Sequence, residues 1–245
     1  MRVGTLIASG HDCLVFEAGA GKVVKRSRHG RSLEQEASIM RHARRNGIPT
    51  PEVFDADGPD LLMERLEGPS LRETALRRPD RLASYGRLLA ELLRTVARVR
   101  APGWLQGAGG CPGNRLLHLD LHPANVIVTA AGPRIVDWAN AARGAPGADV
   151  ACTWLILATT AVPEAPVPNW QEIMLGAFLD AVDVAAARPY LRVTAARWRA
   201  DRAIEPAEQA EIDAFLSGGK LWAEGGNRMN EQPGAPARYE KVRGT

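Results

Sequence analysis

The chain has 245 residues, a formal net charge of +3, and 45% hydrophobic against 24% charged side chains. That is an ordinary globular composition, long enough for one large domain or two small lobes. Mild basicity with 5% aromatic residues and no basic–aromatic interleaving makes no case for a nucleic-acid partner. The longest apolar stretch, Val150 to Val162, is broken by threonines and falls short of the ~20 residues a membrane span needs. Cys13, Cys111 and Cys152 are widely spaced and form no disulfide framework, so the expected compartment is the reducing cytoplasm. The N-terminal apolar run is interrupted at His11-Asp12 and is too short for a signal peptide.

Residues 2–8, 13–18 and 22–26 are short runs rich in Val, Leu and Ile. They predict an antiparallel meander, with turns at Ser9-Gly10-His11-Asp12 and Gly19-Ala20-Gly21. Ser32 to Asn46 predicts a helix capped by Ser32 and ended by Gly47, and Pro49 and Pro51 forbid its continuation. Val53-Phe54 and Leu61-Leu62-Met63 predict two more strands. A connector follows at Glu64 to Pro69, and from there the pattern turns helical. Ser70-Leu71-Arg72-Glu73 is a capping box, and Asp80 to Arg100 carries leucines at helical spacing. Pro102 to Asn114 predicts a loop. Asp149 to Thr160 predicts a buried helix; Asn169 to Ala187 and Glu205 to Leu216 predict further helices, with one or two shorter segments between them. From residue 218 the chain turns to Gly, Pro and charge, which predicts a mobile tail over 218–245.

The chemistry concentrates in His118-Leu119-Asp120-Leu121-His122-Pro123-Ala124-Asn125, an H-x-D-x-x-x-x-N segment. Val126-Ile127-Val128 follows, then the turn sequence Ala130-Ala131-Gly132-Pro133, then Ile135-Val136-Asp137. The two apolar runs predict a hairpin that brings Asn125 alongside Asp137. An Asp placed to accept a hydroxyl proton, with Asn and Asp as hard-oxygen Mg²⁺ ligands, is the base-and-metal set of kinase chemistry. That chemistry also asks for a strand lysine on the nucleotide phosphates and a helix carboxylate that holds it. Lys25 and Glu36 stand upstream in that order. Glu36 is preferred because it precedes Ala37 at the start of the apolar face, with Glu34 as the alternative. His118 and His122 read as structural, since phosphoryl transfer needs a base and metals and not an imidazole.

These segments resemble the aminoglycoside phosphotransferase and related small-molecule kinase family. The resemblance covers about residues 1–160. It is carried by Ala8-Ser9-Gly10 through Lys25, Glu34 to Ala37, Gly47 to Pro51, Leu62 to Gly68, His118 to Val128, Ile135 to Trp138 and Gly144 to Ala151. It implies an α+β, bilobal protein-kinase-like fold. Residues 1–66 would form a β-rich nucleotide lobe with one helix, and residues 67–217 a larger, mainly helical lobe with the catalytic hairpin. By the same resemblance Asp120 is the catalytic base, Asn125 and Asp137 bind metal, and Lys25 holds the phosphates with Glu36 as its partner. Gly10 lies in the nucleotide loop, and residues 64–67, with Glu64 and Leu66, form the hinge that meets the adenine edge. Asp149 braces the catalytic loop. ATP, with GTP as the other candidate, and Mg²⁺ are the implied cofactors.

Two departures stand out. The nucleotide loop has one glycine where protein kinases have G-x-G-x-x-G, and Leu119 replaces the family's frequent Gly. The interval from Asp137 to Asp149 is short and no A-P-E element follows it, which points to a small hydroxylated acceptor such as an aminoglycoside, another sugar or an amino alcohol. The helices after residue 160 carry more carboxylates than arginines, which would suit a polycationic sugar, although solvated helix faces account for most such excesses. A nucleotide-binding pseudokinase and a compact protein kinase are the other readings.

Overall fold

The N-terminal strands pair as the meander predicts, and the sheet continues beyond the apolar runs that announced it. The structure, a computed structural model, describes residue 1, residues 3–201 and residues 206–218. Strands β1 (Leu6–Ser9), β2 (Cys13–Glu17), β3 (Lys22–Ser27), β4 (Val53–Asp57) and β5 (Asp60–Glu64) form one antiparallel sheet in the order β1-β2-β3-β5-β4. Edge strand β1 is exposed along its length, whereas β3, flanked by β2 and β5, buries Val23, Val24 and Lys25.

Helix α1 (Glu34–Arg45) follows β3 and packs Glu36, Ala37, Ile39, Met40 and Ala43 inward. Its first residue is Glu34, whose N–H donates to Ser32 Oγ at 3.3 Å, the capping bond expected of Ser32. Leu33 between them is 1% exposed and its N–H donates to Gly58 O at 2.8 Å, so tertiary anchoring joins the side-chain cap in setting the entry. Gly47 at φ +83° supplies the left-handed turn that ends it. After β5 the chain passes Gly68 at φ +145°, where a Cβ would lie 2.1 Å from Val128 O. No other residue allows that approach, which lets Val128 N–H donate to Pro69 O at 2.8 Å.

Helix α2 (Leu71–Arg77) opens on the predicted capping box, with Ser70 and Glu73 satisfying each other's backbone N–H groups. The predicted helix over 80–100 begins as a 3₁₀ turn at Pro79–Arg81 and continues as α3 (Leu82–Ala97). Two small sheets follow, neither part of the large one. Strand β6 (Arg115–Leu117) pairs with β9 (Ala142–Gly144), and β7 (Val126–Thr129) pairs with β8 (Gly132–Ile135) as the predicted hairpin. The β6–β9 pair was not legible because its strands are three residues each and 24 residues of chain separate them.

Helix α4 (Pro146–Thr159) is buried on all sides, as a helix apolar all round must be. It is contacted by α3, by α5 (Trp170–Leu179), by α6 (Val184–Ala187), by α7 (Leu191–Asp201) and by α8 (Pro206–Leu216). The predicted helix over 169–187 is thus two helices. Asp183 accepts from Ala186 N–H and caps the second. One apolar cluster runs from Leu33 and Ile39 through Leu71 and Leu89 to Trp154, Phe178 and Phe215. The tail predicted from residue 218 lies outside the described residues, apart from Gly218 itself.

Candidate active site

Strand β3 presents Lys25 between Val15 and Leu61 of the neighbouring strands. Its side chain is only 8% exposed and is aimed at α1. Lys25 Nζ donates to Glu36 Oε1 at 2.7 Å and to Asp137 Oδ1 at 3.0 Å. Burial alone would lower the ammonium pKa, but the two carboxylate charges outweigh it and hold it above its ordinary value. Glu36 also accepts from Trp138 N–H at 3.2 Å through Oε1, while its buried Oε2 has no partner among the described residues. Burial pushes the Glu36 carboxyl up, and the Lys25 charge pulls part of that back. Glu34, two residues earlier, is exposed.

Asp137 leaves the hairpin at φ +63° and its side chain is 45% exposed. What burial it has opposes ionisation, but the charge and hydrogen bond of Lys25 prevail and hold its carboxyl below the usual carboxylate range. Pairing of Val126 with Ile135, and the bond from Val136 N–H to Asn125 O at 3.0 Å, set Asn125 beside the strand end that carries Asp137. Asn125 Nδ2 donates to Asp120 O at 2.8 Å and to Asp120 Oδ2 at 3.3 Å. By elimination its Oδ1 is the amide atom turned elsewhere. Trp138 continues the chain into the core. Its indole N–H donates to Thr50 Oγ1 at 3.0 Å, and Thr50 Oγ1 donates to Ile135 O at 2.9 Å, which ties the α1–β4 connection to the hairpin.

The loop from His118 to Asp120 is held from below. Asp149 on α4 accepts from His118 N–H at 2.9 Å and from Leu119 N–H at 2.7 Å, one carboxylate oxygen each. Burial raises the Asp149 pKa to about 6 against the relief those two bonds provide. His118 is fully buried against Trp138, with ring centroids 4.7 Å apart. Its Nδ1 accepts from Asp120 N–H at 3.2 Å and its Nε2 lies 3.1 Å from Val136 O, which assigns the proton to Nε2. Burial lowers its pKa, so the ring is a neutral spacer between loop and hairpin. His122 Nδ1 accepts from Ala124 N–H at 3.3 Å and caps the turn before Asn125.

The Asp120 side chain, 11% exposed, faces a pocket of about 370 Å³, part of it open to solvent. Leu119, Cys152, Ile156, Arg197 and Trp198 are among its walls. The remaining site residues lie outside these contacts. Gly10 sits in the β1–β2 turn, its N–H donating to Cys13 O at 2.9 Å. A Cβ there would make only ordinary contact, so its backbone does not require glycine. Glu64 closes β5 and accepts from Glu52 N–H at 3.0 Å. Leu66, past the strand, has no backbone partner among the described residues. Thr50 and Trp138 fell inside matched sequence segments without a role. Arg197 gave no sequence signal, because an arginine on α7 looks like any solvated one.

The profile of the phosphotransferase enzyme family matches residues 3–109 and 112–190. A probable serine/threonine-protein kinase of Thermomonospora curvata is 34% identical over 96 residues, 38% of this chain and 12% of that protein. Another, from Archaeoglobus fulgidus, is 30% identical over 108 residues, 44% of this chain and 45% of that protein. The chain thus spans less than half the length of the curated relatives it matches. Among solved structures, an aminoglycoside phosphotransferase in ternary complex with AMP-PNP and hygromycin B superposes with a TM-score of 0.62 at 15% identity, covering 89% of this chain and 94% of that one. An ethanolamine kinase of Plasmodium vivax gives 0.58 at 11% identity, over 87% and 80%. At these identities the structures share the fold: an antiparallel N-terminal sheet followed by a helical bundle, as in kinase-like proteins.

Proposed function

Because this chain belongs to the phosphotransferase enzyme family, we propose that it transfers the γ-phosphoryl group of ATP to a hydroxyl of a small molecule. The observation that carries this reading is the grouping of a charge-paired lysine, two oxygen donors at adjoining hairpin ends, and a nearly buried carboxylate facing a pocket. In it, residues 1–66 form the nucleotide side and 67–217 the acceptor side. A cytoplasmic location, expected from the cysteine spacing, belongs to the same reading. No helix among the described residues is long and apolar enough to cross a membrane.

The donor set suits Mg²⁺, which takes one or two carboxylates and leaves its other positions to phosphates and water. Asp137 is half-exposed and held ionised, and Asn125 has its amide oxygen turned away from Asp120. Asp137 and Asn125 would hold the ion, which would supply neutralisation of the nucleotide's phosphate charge. Lys25 binds phosphate oxygens, and Glu36 fixes the direction of its ammonium. The turn at Gly10 lies over the phosphates, and the backbone at Glu64 and Leu66 meets the base edge, where ATP and GTP are told apart. Asp120 accepts the proton of the acceptor hydroxyl as its oxygen bonds to the γ-phosphorus, and the electrons of the broken P–O bond leave with the nucleoside diphosphate. His118 and Asp149 hold the loop that aims Asp120.

The two curated relatives favour a second reading, transfer to a protein hydroxyl. The short interval from Asp137 to Asp149 weighs against it, leaving little chain for an activation segment. Labelled ATP offered with aminoglycosides, other sugars, amino alcohols, hydroxy acids and a protein lysate separates the two. Asp120→Ala is expected to lower turnover on the true acceptor by ~10²–10⁴-fold, the share of a general base. Full turnover in that variant would remove Asp120 from its role, and labelling of proteins alone would select the second reading.

A further inference from the structure

Two non-glycine residues among those described hold a positive φ, Asp137 at +63° and Leu119 at +58°. At Asp137 the turn serves the carboxylate that pairs with Lys25. The transfer chemistry gives Leu119 no such use. Glycine takes this conformation freely, and a side chain with a Cβ is penalised in it. A leucine held there points to a use for the side chain itself.

Helix α4 imposes the conformation. Leu119 N–H donates to Asp149 Oδ1 at 2.7 Å, and Leu119 O accepts from Cys152 Sγ at 3.0 Å. Two residues on, Leu121 O accepts from Thr153 Oγ1 at 2.7 Å. These bonds use backbone alone, so a glycine would be held equally well, and they leave the isobutyl group unexplained. Leu119 is 6% exposed and lines the pocket beside Asp120, with Ile156 of α4 and Thr194 of α7. Asp120 is the next residue and lines the same pocket. A branched apolar group is thus fixed next to the point where an acceptor hydroxyl would meet Asp120. Resting on the phosphotransferase reading above, we propose that Leu119 sets acceptor specificity by size. Its isobutyl group packs against the carbon that bears the reactive hydroxyl, admits a primary alcohol and excludes one branched at that carbon. The backbone clamp makes the limit firm, because the side chain cannot swing aside unless the bonds to Asp149 and Cys152 are given up.

Matched acceptors test this: ethanolamine against isopropanolamine, which adds one methyl group at the hydroxyl carbon, and other primary alcohols, sugars included, against their methyl-branched homologues. Values of kcat/KM with Mg·ATP are measured for the wild type, Leu119→Met, Leu119→Ala, Leu119→Gly and Asp120→Ala. The wild type is expected to favour the primary alcohol by roughly 10–200-fold, the range for one carbon in an apolar pocket. Leu119→Met, apolar and close in volume, is expected to keep that preference. Leu119→Ala and Leu119→Gly are expected to relax it by roughly 10-fold or more. The branched-to-primary ratio within one variant does not depend on how much of it folds. Alanine keeps the Cβ and its backbone penalty whereas glycine removes both, so relaxation in both variants assigns the effect to side-chain bulk. Relaxation in glycine alone would assign it to a loosened loop and overturn the proposal. An unchanged ratio in both would mean that Leu119 only packs the loop, and would overturn it too. A wild type that uses branched alcohols as readily as primary ones would do the same, while leaving the phosphotransferase reading intact. Absence of Asp120-dependent transfer to every acceptor would overturn that reading and this proposal with it.

Discussion

Asp137 and Asp149 are two carboxylates on opposite sides of the same loop system, and the protein treats them in opposite ways. Asp137 faces outward, is paired with Lys25, and has its pKa lowered. Asp149 faces inward, is held by two backbone N–H groups with the Arg197 charge a lesser influence, and has its pKa raised to about 6 by burial. A full opposite charge offsets desolvation, whereas peptide dipoles offset only part of it. The exposed, reliably ionised carboxylate is suited to metal chemistry. The buried one is suited to fixing backbone: successive N–H groups converge on one anion when the chain turns into the left-handed region, as Leu119 does at φ +58°.

The largest effect that would break this contrast is at Asp137. Asp137→Ala is expected to abolish transfer, a loss beyond the ~10²–10⁴-fold of a missing general base, while Lys25 keeps Glu36 and the fold survives. Phosphate-transfer assays and circular dichroism on one preparation decide it: measurable turnover in a folded variant would take the metal role from Asp137.

Next comes a pH effect at Asp149. Its folded pKa of about 6 lies above its ordinary 3.8, so between those values the folded state binds more protons than the unfolded one. Stability from this group is therefore greatest below pH ~4 and declines through pH 4–6, by about 3 kcal/mol at most. Urea midpoints from pH 4 to 7 for wild type and Asp149→Asn measure it. The wild type is expected to lose stability relative to the variant across that window, and parallel curves would show that Asp149 ionises normally.

The smallest effect concerns Leu119. Leu119→Ala and Leu119→Gly both remove the buried side chain, but only glycine is at ease at positive φ. Leu119→Gly is expected to be more stable than Leu119→Ala by about 1 kcal/mol, the reverse of the usual order. Thermal unfolding of the pair reads it, and alanine equal to or better than glycine would mean that the loop relaxes.

The parts of the site legible in the sequence are those whose geometry is local. Asp120, Asn125 and Asp137 are joined by a tight turn and a short hairpin, so their spacing carries their placement. The order of Lys25 on a strand and Glu36 on the next helix was also readable, because a strand–helix unit leaves few ways for the two to meet. The start of α1 was legible to within two residues, because Ser32 Oγ does accept from Glu34 N–H, while the burial of Leu33 and its bond to Gly58 O add an anchor that no local rule supplies. The helix over 169–187 was misread, its apolar run concealing the Asp183 cap within it.

By itself the sequence determined most of the secondary elements and the spacing of Asp120, Asn125 and Asp137, because hydrophobic period, turn residues and short-range spacing act within a few residues. Only the tertiary structure decided that Asp149 would hold the N–H groups of His118 and Leu119 from some thirty residues away, that Thr50 would hold Trp138, and that Arg197 would line the pocket beside Asp120. Those partners meet through packing around the loop from His118 to Asp120 and the hairpin that follows it, and no local spacing encodes which side chain a folded core brings to a given point.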